Sequence, residues 1–166
     1  MSKENLTTFL IENNPQKQNE LAKHPYECMF GNYPTMRQLR KEMGENAPVM
    51  WLTAQLKDLS EYCGCSNKLT PQALHNCANI IATQYGYLMT SELMLFFFHF
   101  KAGRYGEFYG AVDPIKITSS LRKFLLERND YFFRLEQKRK EREKEESMKD
   151  AVTYEEYRQM VERGEI

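Results

Sequence analysis

Residues 90–103 read TSELMLFFFHFKAG, and this stretch decides the fold. Its apolar residues occupy nearly every side of a helix rather than one stripe, which marks a helix covered all round by its neighbours. The run LMLFFFHF is only eight residues long and carries His99, so it is too short and too interrupted to span a bilayer. The rest of the chain must therefore supply amphipathic elements that wrap this one.

The flanking sequence does so with a repeated punctuation. In LTPQALHNCANIIATQYG, Thr70 caps, Pro71 opens the first turn, Leu74, Cys77, Ile81 and Tyr85 line a face, and Gly86 closes. In APVMWLTAQLKDLSEYCG, Pro48 sits near the first turn, Val49, Leu52, Leu56, Leu59 and Tyr62 fall at helical spacing, and Gly64 follows the end. PTMRQLRKEMG offers Thr35 as cap, Met36, Leu39 and Met43 on one side, and Gly44 as terminator. Thr90 and Gly103 bracket the apolar helix in the same way. Upstream, LTTFLIE and QKQNELAKH are short helical candidates separated by Asn13, Asn14 and Pro15, forming an arm over residues 1–30 that packs on the body.

Downstream lies a glycine-rich corner, KAGRYGEFYGAVDP, after which Asp113 and Pro114 start the longest helix. Its expected buried stripe is Ile117, Leu121, Phe124, Leu125, Phe132 and Leu135. The next segment, EQKRKEREKEE, has no apolar residue and can stay helical only through propensity and pairs such as Glu136 with Lys140. TYEEYRQMVERG then places Thr153 and Glu156 in capping-box register, with an apolar stripe of Tyr154, Tyr157, Met160 and Val161. The expected fold is all-α: a compact multi-helix bundle over residues 1–135 with a long C-terminal helix. Residues 136–166 form a charged helical extension and a short detached amphipathic helix.

Composition agrees with one domain plus appendages. The chain has 166 residues, 42% of them hydrophobic, and a formal net charge of zero, so overall charge selects neither nucleic acid nor membrane. The opening MSKENLTTFLIENNP lacks a basic region followed by an apolar stretch. The four cysteines, Cys28, Cys63, Cys65 and Cys77, then read as free thiols of a cytoplasmic protein with no membrane association.

PTMRQLRKEMGE, LTPQAL, SELMLFFFHFKAGRYGEFYGAVDPIKITSSLRKFLLERN and TYEEYRQM together resemble a family of small uncharacterised proteins encoded in the genomes and mobile elements of Bacteroides-type bacteria. The resemblance covers the chain from about residue 28 onward, with the GRYGEFYG region its most distinctive part. It carries no activity, cofactor or catalytic residue. It implies a setting in which replication, transfer and phage functions are common, and the layout is similar to that of small phage helicase-loader proteins.

Several residue groups invite a chemical reading. Cys63, Cys65, His75 and Cys77 suggest a metal, but residues 75 and 77 differ by about 200° around a helix and the spacing fits no common zinc pattern. No metal, cofactor or catalytic residue is assigned. His99 would need a carboxylate within reach for catalysis. Glu92 is too far along the helix, which leaves Glu107 across the corner. A helix-turn-helix built on residues 71–102 lacks polar side chains for base edges. The corner residues Lys101, Arg104, Tyr105, Phe108 and Tyr109 form either an aromatic and cationic binding platform or a plug that folds onto the bundle end.

Charge is distributed unevenly along the last third: residues 116–144 contain ten basic and five acidic side chains, residues 145–166 three and seven. The favoured reading is a non-enzymatic protein-interaction or accessory protein of a replication or mobile-element system, docking through Tyr154, Tyr157, Met160 and Val161 on another protein. The second reading is a direct nucleic-acid binder using the corner and a basic face of Arg122, Lys123, Arg128, Lys138, Arg139 and Lys140. An enzyme around His99 is the third.

Overall fold

The computed structural model describes residues 3–149 and 153–164, and every regular element among them is helical. Helices run in the order α1 (Lys3–Glu12), α2 (Gln18–Leu21), α3 (Pro25–Phe30), α4 (Met36–Met43), α5 (Ala47–Tyr62), α6 (Pro71–Gln84), α7 (Thr90–Lys101), α8 (Pro114–Lys149) and α9 (Tyr154–Glu162). A single 3-10 turn, Pro15–Lys17, joins α1 to α2. None of these helices is long and apolar enough to cross a membrane. The chain divides into two units, Met1–Leu125 and Leu126–Ile166.

In the first unit α7 is the central element. Its residues from Thr90 to Phe97 are all buried, as its all-round apolar sequence requires. The helix starts one residue earlier than the capping pattern suggested. Met89 occupies the N-cap, and Glu92 reaches back to accept the Met89 N–H at 2.9 Å. Thr90 is thereby drawn into the first turn and buried. A carboxylate three residues into the helix thus pairs the N-cap N–H, the half of a capping box that needs no cap hydroxyl, and its charge suits the positive end of the helix dipole.

Around α7, caps and core stripes form as the sequence dictates. Thr35 and Gln38 make a reciprocal capping box on α4, and Thr70 Oγ1 accepts the Ala73 N–H on α6 at 3.2 Å. The α5 stripe is buried through Leu59, with Trp51 added to it, whereas Tyr62 is exposed. Gly86 does not close α6 through a left-handed turn. It is buried, its carbonyl accepts the Arg37 N–H at 2.9 Å, and a Cβ there would meet Arg37 Cγ at 3.0 Å. A side chain at this position would fit only if Arg37 of α4 gave way by a few tenths of an ångström.

The N-terminal arm is fastened by polar groups. Trp51 Nε1 and Gln55 Nε2, both from buried residues of α5, donate to the Asn13 carbonyl at 2.8 and 3.1 Å. Gln18 Nε2 donates to Gln55 Oε1 at 2.6 Å. Beyond the corner, Asp113 Oδ1 caps α8 through the Ile115 N–H at 2.8 Å. An isolated parallel bridge ties the corner to the loop after α5: Asn67 N–H donates to the Gly110 carbonyl, and Val112 N–H to the Asn67 carbonyl.

The buried stripe of α8 consists of Ile117, Ser120, Leu121 and Phe124, with Leu125 packed against its edge. In the second unit Phe132 and Leu135 are only half-buried, and Phe132 lies 4.6 Å beneath the Arg128 guanidinium. Residues 136–149 continue the helix with pairs Lys140–Glu136 at 3.2 Å and Arg139–Glu143 at 3.5 Å. The linker residues 150–152 lie outside the described residues. Helix α9 begins with the expected capping box: Glu156 N–H donates to Thr153 Oγ1 at 3.3 Å, and Glu156 Oε2 accepts the Thr153 N–H at 2.8 Å.

Candidate functional site: the glycine corner and the terminal helix

Three glycines give the corner its path. Gly103, Gly106 and Gly110 have φ of 78°, 87° and 75°, a region that L side chains rarely enter. The resulting turn sends its rings in two directions. Tyr105 is 6% exposed, stacked on Phe96 at 5.6 Å and tilted against Phe100 at 5.8 Å. Phe108 stacks on Phe100 at 5.2 Å. Tyr109 is 87% exposed. Two of the three rings therefore plug the bundle end, and one stands out from it.

The cations divide similarly. Lys101 pairs with Asp58 and lies 5.5 Å above the Tyr62 ring, so its charge is compensated within the fold. Arg104 is exposed and rests against His99, Nη1 to Nδ1 at 3.3 Å. Lys116, which the sequence reading passed over, donates to the Glu107 carbonyl and lies 5.4 Å from the Phe108 ring centroid and 5.9 Å from that of Tyr109. Between the ends of α5 and α7 and the corner lies a cavity of about 330 Å³, walled by Tyr62, Cys63, Phe100, Lys101 and Phe108. The i, i+4 spacing of Asp58 and Tyr62 was visible in the sequence. Their meeting with Lys101 of α7 was not, because it depends on how the two helices cross.

His99 stands beside a cation rather than a carboxylate. Burial, and then the neighbouring Arg104 charge, lower its pKa to about 4, so the ring is neutral at physiological pH. Glu107 is turned to solvent and serves through its backbone carbonyl, while Glu92 is committed to the start of α7. Burial pushes the thiols of Cys28 and Cys77 up to about 11, which keeps them protonated and poorly nucleophilic. Cys63 is raised as well, by burial and by Cys65, against the opposing pull of Lys101 and Lys116. On α6, His75 is exposed while Cys77 is buried, so the two point apart.

The cations of α8 do not share one face. At about 100° per residue, Arg128 and Arg139 of the second unit fall within about 20° of each other, while Lys138 and Lys140 stand about 100° to either side of Arg139. Arg139 and Lys140 are each paired with a carboxylate four residues away. Arg122, Lys123 and Lys138 are exposed. The terminal stripe, by contrast, is coherent: Tyr154, Tyr157 and Val161 are all exposed, and Met160 is partly covered.

Fold and site together define an all-α protein with an aromatic-plugged helical body and a capped, apolar-faced terminal helix. The chain belongs to the family of unknown function DUF6633, which it matches over residues 69–164, from just before α6 to the end of α9. No curated protein and no solved structure matches the chain.

Proposed function

We propose that this chain is a non-enzymatic interaction protein whose terminal helix α9 docks into a groove on a protein partner. One observation carries the reading: a helix of nine residues, too short to be stable without help, has a complete capping box and presents exposed Tyr154, Tyr157 and Val161 along one side. Exposed rings on a pre-capped helix match helix-in-groove recognition, where aromatic anchors supply most of the affinity. The glutamates of the helix lie away from the stripe: Glu156 is held in the capping box and Glu162 is paired with Arg158 at 3.5 Å, which leaves the apolar side free of carboxylates. The protonated thiols and the resemblance noted from the sequence fit an accessory role in the cytoplasm, within a replication or mobile-element system.

The test is crosslinking of the full chain in cells that express it, compared with a Tyr154→Glu/Tyr157→Glu variant. The expected result is a protein captured by the native chain and lost from the variant, with unchanged thermal unfolding of the body. Identical capture by both would reject α9 as the docking element.

A second reading, direct nucleic-acid binding, draws on the exposed Arg122 and Lys123 of α8. It expects oligonucleotide binding that weakens steeply as salt rises and that is lost in an Arg122→Ala/Lys123→Ala variant.

A further inference from the structure

The outer face of α6 differs from every other long surface of the molecule. Pro71–Gln84 spans 14 residues without one Asp, Glu, Lys or Arg, whereas the chain as a whole is 28% charged and would place about four there. Its buried side is Leu74, Cys77, Ala78, Ile81 and Ala82. Opposite them, Gln72, Asn76, Asn79 and Thr83 recur at intervals of four, three and four, the spacing of a straight seam along a helix.

Both flanks of this seam are apolar and open. On one side is a depression of about 510 Å³ formed by Val49, Met50 and Thr53 of α5 with His75. On the other is one of about 240 Å³ formed by Ala73 and Ile80 with Pro114, Ile115 and Thr118 at the start of α8. Ile80 is 46% exposed and Ile115 75%. Depletion of charge with retained aliphatic side chains is the composition of an interface centre rather than of a solvated surface.

The absence of charge also selects the occupant. A partner carrying Lys, Arg, Asp or Glu at the contact would bury those groups against a face that holds no counter-charge, at a cost of several kcal/mol per ion. The matching surface must be uncharged, with amides that both donate and accept. This face meets that description itself: Gln72 Nε2 donates to Asn76 Oδ1 at 2.9 Å and Asn79 Nδ2 to the His75 carbonyl at 3.0 Å, and the donors and acceptors these amides have left can pair with those of a second copy across a two-fold axis. We propose that the chain forms a two-fold homodimer in which α6 packs on α6 of a second copy, with Ile80 and the flanking aliphatic residues as its apolar contacts. A dimer would carry two α9 helices and engage a multivalent partner with avidity beyond that of one helix. The dimer itself does not depend on the role assigned to α9.

Sedimentation equilibrium of the full chain, over a range of concentrations and at low and high salt, tests this. The expected result is a mass moving from 19.7 kDa toward twice that value, with little dependence on salt because no ion pair is involved. Ile80→Glu and Ile80→Lys should each weaken dimerisation at least about tenfold by placing like charges across the axis, without altering the far-UV spectrum. Mixing the two variants should restore a dimer of one copy of each. A mass of one chain at every concentration would overturn the proposal. So would a dimer indifferent to both variants.

Discussion

Replacing Tyr105 and Tyr109 with alanine, separately, measures which rings hold the corner closed. Tyr105 lies under the surface with its ring against Phe96 and Phe100. Truncation there removes a buried aromatic side chain, for which the cost is about 3–5 kcal/mol, including about 0.5–1.5 kcal/mol for each ring pair beyond simple burial. For a chain of this length about 4 kcal/mol corresponds to a fall in Tm of about 8–16 °C. Tyr109 is solvent-facing, with the Lys116 ammonium 5.9 Å from its ring centroid, so its loss should cost no more than about 0.5 kcal/mol. The assay is thermal unfolding followed by near-UV circular dichroism, supported by urea midpoints. Equal shifts for the two variants would refute the division of the corner into plug and platform. A neutral Tyr105→Ala would refute the stacking geometry itself.

Three further outcomes follow from the same structure. The lowered pKa of His99, near 4, means that the unfolded chain takes up a proton that the folded chain refuses. Its contribution to stability is complete above about pH 6.5 and is lost as pH falls toward 4, so His99→Gln should flatten the slope of urea midpoints between those values. Trp51→Phe removes the 2.8 Å bond to Asn13 while Gln55 keeps that carbonyl paired, and should cost about 2 kcal/mol. Hydrogen exchange should show the loosening concentrated in α1 and α2. Raising salt to about 1 M should reduce helical ellipticity, because the Glu136–Lys140 and Arg139–Glu143 pairs of α8 are screened, and leave the near-UV spectrum of the body unchanged.

Most of the architecture is written locally in the sequence. Thr35, Thr70 and Thr153 cap where their hydroxyls precede a periodic run, because capping needs only contacts within one turn. The burial of α7 follows from its composition alone. Features that depend on a second element are hidden. Gly86 looks like a terminator, yet it serves the approach of Arg37 from a helix 49 residues earlier in the chain. Tyr62 has the right spacing for the core but lies at its rim, exposed apart from the Lys101 ammonium of α7 5.5 Å from its ring centroid. The same holds at the candidate sites. The α9 stripe is legible from one amphipathic period, whereas the inward turn of Tyr105 and the pairing of Lys101 with Asp58 depend on helix crossing. The basic residues of α8 are numerous in sequence, and their spacing at about 100° per residue already spreads them around the helix.

The bridge between Asn67 and Ala111 has a kinetic meaning. It closes a segment of about 44 residues that contains all of α6 and α7, and closing such a loop in an unfolded chain costs about 3 kcal/mol of entropy before any packing offsets it. Two backbone hydrogen bonds cannot carry that cost, so the bridge forms only after α6 and α7 have packed. It therefore contributes little to the rate at which the body folds and mainly slows its opening, acting as a latch on the native state rather than as part of the folding nucleus.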